Sequence, residues 1–120
     1  MSFQQIVTLS IVEIIGDFAL KEFANKGGFV PFVIGIGGYI GVVYFLIVSL
    51  QGSTVLLVNG AWDGISALIE SITAYIFLGE RFHSYLQYIG LLFIIIGVYL
   101  LKIPKNKKYP FHFPKLNFIK

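Results

Sequence analysis

From Gly27 to Trp62 the chain runs for 36 residues without a single charge. As one helix this run would be about 54 Å long, against a hydrocarbon core of about 30 Å in a typical bilayer. It must therefore fold back on itself, and Gln51-Gly52-Ser53 is where polar, turn-forming residues gather. The reading is two apolar helices over about 29–50 and 54–78, with Gly79-Glu80-Arg81 closing the second. A second uncharged stretch gives a helix over about 84–101. A more polar one over about 3–23 ends before Asn25-Lys26-Gly27-Gly28.

Composition agrees with a membrane setting. Of the 120 residues, 57% are hydrophobic and 12% charged, and the mean hydropathy is +0.84. A soluble domain this small leaves much of its surface in water and could not hide so much apolar material. The fold class expected is all-α, with four transmembrane helices in one domain over 1–103 and an extended tail over 104–120. Pro104, Pro110 and Pro114 rule out a regular helix in that tail. The first apolar stretch has no basic leader, no small-residue cleavage site and a glutamate inside it, so it is expected to remain in the mature protein.

Charge and chemistry narrow the function classes. Six of the nine basic residues lie at or after Lys102, interleaved with Tyr109, Phe111, Phe113 and Phe118. That clustering reads as a tail for a membrane surface or a protein partner, with no nucleic acid expected. There is no cysteine, and His83 and His112 lack metal-ligand spacing, so neither a metal nor a cofactor is expected. No nucleophile–base pair is visible, which argues against an enzyme.

Intramembrane carboxylates are costly and so are candidate functional groups. Glu13 and Asp17 lie one helical turn apart and share a face with Ser10 and Lys21. In the third helix Asn59, Asp63, Ser66, Glu70 and Thr73 fall within an arc of about 80° at 100° per residue. Two such stripes on otherwise apolar helices imply a shared interior. A carboxylate there can hold a proton in one state and a cation in another, which is the simplest chemistry for proton-coupled cation export. The plainer alternative pairs Asp17 with Lys21, and Asp63 or Glu70 with another helix, as structural ties. Tyr39, Tyr44 and Trp62 offer ring faces to a cation, although Tyr44 serves equally as a packing or interfacial residue. Gly37 and Gly41, with Gly35 and Gly38 beside them, allow close approach of the second helix, and Gly90 and Gly97 do so on one face of the fourth.

These features resemble the small multidrug resistance transporters. Val12-Glu13-Ile14-Ile15-Gly16 with Leu20-Lys21 resembles their first-helix signature, and Gly60-Ala61-Trp62-Asp63-Gly64 the region of their third-helix tryptophan. Gly79-Glu80-Arg81 is similar to their loop before helix 4, and Gly90 and Gly97 to their helix-4 glycines. Tyr39 falls where the family has a second-helix tyrosine, and the resemblance covers about residues 3–102. It implies an antiparallel homodimer that exchanges protons for hydrophobic cations or guanidinium compounds. Glu13 would be the shared proton and substrate carboxylate, Tyr39 and Trp62 would line the site, and Gly90 and Gly97 would pack the dimer.

The chain also departs from that pattern. The segment Ser53-Thr54-Val55-Leu56-Leu57-Val58-Asn59 lacks the family's proline and tyrosine, with Asn59 at the tyrosine position. Ser66 replaces a glycine, and Asp17, Asp63 and Glu70 are added carboxylates. The candidate substrate and proton site is therefore Glu13, Asp17, Tyr39, Asn59, Trp62, Asp63 and Glu70. The alternative function is a non-transporting membrane scaffold docked to an assembly through its tail. Four spans put six lysines on the side of the termini against three basic residues on the other, so both termini are expected in the cytoplasm.

Overall fold

The computed structural model describes residues 1–104 and 112–116. It contains four helices: α1 Phe3–Lys26, α2 Phe29–Leu50, α3 Val55–Phe77 and α4 Tyr85–Leu100. No strand occurs among the described residues. The first three helices are long and apolar enough to cross a membrane, and α4 is a shorter apolar helix of 16 residues. The protein is thus an all-helical, four-helix integral membrane protein.

Local chemistry sets the helix ends. Ser2, Thr54 and Ser84 cap α1, α3 and α4, each accepting a backbone N–H of the first turn on its side-chain oxygen. α1 runs three residues past the end expected from its polar cluster. Its stop is Gly27, whose positive φ of +73° takes the chain out of the helix in a conformation open to glycine, and Lys26 in the last turn suits the negative end of the helix dipole. Pro31 is harmless in α2 because it occupies the first turn, where no intrahelical N–H is needed. α4 is shorter than expected. Lys102 turns left-handed at φ +52°, and Pro104 follows two residues later. At 1.5 Å per residue α4 is about 24 Å long, less than the typical hydrocarbon core.

α1 lies at the centre, packed against α2 on one side and α3 on the other, while α4 packs on α3 alone. The α1–α2 contact is a backbone approach. A Cβ on Gly38 would stand 2.8 Å from the Gly16 Cα, one on Gly35 would meet Leu20 at 2.4 Å, and one on Gly41 would meet Val12 at 2.8 Å. Gly37 faces open space, so the packing stripe is Gly35, Gly38 and Gly41 against Gly16, not a Gly37–Gly41 pair. Gly64 lets α4 close on α3, with Val98 in the space a Cβ would take. A Cβ added at Gly90 or Gly97 would meet no other helix within 4 Å among the described residues.

The buried core sits toward the N-terminal ends of α1 and α3, formed by Ile6, Val58, Ala61 and Ile65. Ile103 packs on it, and the Phe3 N–H donates to the Pro104 carbonyl at 2.6 Å. Further along the tail, His112 exchanges two hydrogen bonds with the Gln51 side chain, at 2.8 and 3.2 Å. Phe113 stacks on Tyr44, their rings nearly parallel and 6.3 Å apart. The chain start, the α2–α3 turn and the described tail thus gather at one end of the bundle. The expected tail lysines Lys105, Lys107, Lys108 and Lys120 lie outside the described residues.

The glycine contact yields a direct test. Gly38→Val should lower stability by about 1–3 kcal/mol, the usual cost of overpacking a close contact. Gly37→Ala should shift it by no more than about 0.5 kcal/mol, as at surface sites generally. Melting temperatures of the two variants in the same detergent measure the difference.

Candidate functional site

The site begins with the central position of α1. α1 and α3 run alongside each other in the same direction, which brings their polar stripes together two turns beyond the core. The Ser66 hydroxyl on α3 donates to the Glu13 carboxylate on α1. One turn on, the Tyr39 hydroxyl of α2 donates to Asp17. Carboxylate oxygens of Glu13, Asp17 and Glu70 all lie within 4.8 Å of one another. The Trp62 indole N–H is buried beside the Glu13 carboxylate. Five of the seven expected residues therefore meet: Glu13, Asp17, Tyr39, Trp62 and Glu70.

Asn59 does not, and Asp63 stands outside the cluster though near enough for its charge to act on Glu13. Asn59 and Asp63 share the α3 stripe but remain exposed. By helical angle Asn59 falls between Ser66 and Glu70, so what separates it from the cluster is its place along α3, two turns before Ser66, while Asp63 lies at the outer rim of the stripe beyond Glu70. Tyr44 is also elsewhere, engaged with Phe45 and Phe113. Lys21 does not pair with Asp17, its neighbour on α1. It reaches across to Glu80 between α3 and α4.

A cavity of about 550 Å³ opens beside the cluster, between α1 and α4 with α3 as its floor. Asp17 and Glu70 face into it, and Phe18, Tyr75, Tyr88 and Leu91 supply apolar and aromatic walls. At its outer end stand Lys21, Glu80, Arg81 and Phe82. The Arg81 guanidinium lies 3.5 Å from the Tyr75 ring centre and donates to the Tyr75 and Glu80 carbonyls at 2.8 Å. It thus satisfies an orphan carbonyl at the end of α3. The cavity exists because α4 touches no helix but α3.

Ser66 is a site residue that sequence reasoning put on the stripe without a role. Its signal was a hydroxyl at helical spacing from Glu70 on the polar face. Tyr75, Tyr88 and Ser71 carried no signal as cavity walls, since aromatics and serines are ordinary in membrane helices.

Three carboxylates this close repel one another unless a proton or a cation is shared among them. With hydroxyl donors on two sides and a partly aromatic cavity alongside, the arrangement can hold a small cation or exchange it for protons. Fold and site together define an integral membrane protein with a carboxylate cluster built inside its span. Comparison with known proteins gives this class a family. The chain is 30% identical over 91 residues to the quaternary ammonium compound-resistance protein QacF of Klebsiella aerogenes, covering 76% of this chain and 82% of the relative. No family model matches the chain. The chain belongs to the small multidrug resistance family.

Charge crowding in the cluster predicts an unusual sign. Glu70→Gln should hold or raise the melting temperature in detergent at neutral pH, by up to about 1 kcal/mol in stability, roughly the repulsion of two unit charges 4 Å apart in water. Ser66→Ala, which removes the donor to Glu13, should lower stability by about 1.5–3 kcal/mol.

Proposed function

We propose that this protein is a membrane transporter that exchanges protons for an organic cation, with Glu13 as the group both compete for. The observation that carries the reading is Glu13 itself. It lies at mid-span on the central helix, held by Ser66 and grouped with Asp17 and Glu70 beside a cavity. A carboxylate in that setting can be neutralised by a proton or by a bound cation, and each excludes the other. The name of the relative QacF supports quaternary ammonium compounds as the first cargo class. Tyr39 and Trp62 would contact the cargo, and Asp17 and Glu70 would add charge that a cation can satisfy.

Association with a second copy belongs to the same reading. Gly90 and Gly97 lie on α4 with open space around them, as suits a close helix contact between copies. The scaffold alternative gains nothing from the tail, whose described residues meet the chain's own Gln51 and Tyr44. The lysine excess on the side of the termini supports a cytoplasmic location for both.

Two experiments test this reading. In proteoliposomes with an imposed proton gradient, the protein should accumulate a quaternary ammonium compound. Glu13→Gln should abolish that uptake while leaving the melting temperature near that of the unaltered chain, because the amide has the same shape but cannot ionise. Normal uptake by Glu13→Gln would remove the residue on which the reading rests. For orientation, a tag after Lys120 should be inaccessible from outside intact cells in most molecules. An even split between the two sides would instead favour an antiparallel pair.

A further inference from the structure

We propose that Lys21 is a tethered cation that alternates between two carboxylates. One is Glu80, where the structure holds it, and the other is Asp17, one turn back on its own helix. The alternation latches and releases the outer end of the cavity beside the carboxylate cluster. Its coupling to cargo rests on the transporter reading above, whereas the latch itself does not.

The geometry begins with α4, which packs only on α3. The wall of the cavity opposite α1 is therefore not held to α1 by helix packing. At the outer end, residues 79–83 connect α3 to α4 without helical structure and bring Glu80, Arg81 and Phe82 to the cavity. The Lys21–Glu80 ion pair crosses the gap from α1 to this connection. While it holds, α1 and the α3–α4 connection are tied together at the outer end. When it breaks, α4 and the connection are free to move away from α1.

Lys21 has a second partner within reach. Asp17 precedes it by four residues, the favourable order for an acid–base pair on one helix face, and both line the same cavity. Arg81 cannot take over, because its guanidinium is committed to the Tyr75 ring and to two carbonyls. The present pair is also easily exchanged. Its side chains are 48% and 47% exposed, and pairs this open are favoured only a few-fold over their separated state. A cation bound at Asp17 would repel Lys21 toward Glu80 and keep the end tied. With no cation at Asp17, Lys21 is shared between the two carboxylates, and the pair with Glu80 is the one the structure holds. Occupancy of the cluster and closure of the cavity would then be linked through one side chain.

The absence of cysteine from the chain gives a clean probe. Ser71 lines the cavity, and Ser71→Cys is a near-isosteric reporter whose reaction with a water-soluble maleimide reads how open the cavity is. In the full-length protein in lipid vesicles, Lys21→Gln and Glu80→Gln should each speed labelling about two- to fivefold. Lys21→Arg should keep it slow. Asp17→Asn should slow it below the unaltered rate, because Lys21 then has Glu80 alone. A tie that is merely structural would not respond to Asp17. An Asp17→Asn rate that is unchanged or faster overturns the proposal, as does an unchanged rate in Lys21→Gln. Saturating tetrabutylammonium should slow labelling when Lys21 is present and not in Lys21→Gln. Equal slowing in both overturns the coupling. A chain that responds to Asp17→Asn but not to tetrabutylammonium retains the latch and loses the quaternary ammonium reading of the cluster.

Discussion

The cost of placing carboxylates in hydrocarbon governs this molecule. Glu13, Asp17 and Glu70 cannot face lipid acyl chains, so the helices that carry them must turn those faces toward one another. That requirement sets α1 against α3 and leaves α1 in the middle of the bundle. The hydroxyls of Ser66 and Tyr39 then satisfy two of the three carboxylates from neighbouring helices. The third, Glu70, stands beside them at the cavity wall.

Packing follows from the same constraint. Lipid tails are as apolar as leucine, so apolar contact alone gives two membrane helices little reason to associate. α1 and α2 instead meet where side chains are missing, at Gly16 against Gly35 and Gly38. This approach brings the Tyr39 hydroxyl within reach of Asp17. α3 and α4 use the same device once, at Gly64 and Val98. α4 has no such contact with α1, and the space between them is the cavity. A site open on one side is thus a consequence of where the glycines are and are not.

The two ends of the bundle differ in kind. At the end holding the termini, the buried core, the Phe3–Pro104 hydrogen bond and the Gln51–His112 pair join the start, the α2–α3 turn and the tail. At the other end the link from α1 to the far wall is a half-exposed ion pair. Buried apolar surface and paired backbone groups resist opening, whereas an exposed ion pair yields to a competing charge. Any opening of the cavity therefore has its weaker side at Lys21 and Glu80.

Much of this was written in the chain itself. The uncharged run from Gly27 to Trp62 is too long for one crossing, which forces a turn at Gln51-Gly52-Ser53. The spacing of Glu13 and Asp17, and of Ser66 and Glu70, marks two polar faces, because helical periodicity is a local property. The residues around Glu13 and Trp62 carry the family resemblance. Which part of each face meets the other is not local. How the two helices meet along their length is set by the Gly16–Gly38 approach and by the core around Ile6 and Val58, and it left Asn59 and Asp63 exposed while drawing in Ser66. Lys21 had a sequence neighbour in Asp17, yet it pairs with Glu80, 59 residues away. Periodicity determined which residues could share a face. Only the tertiary structure, through close helix contacts between distant glycines, decided which of them share a site.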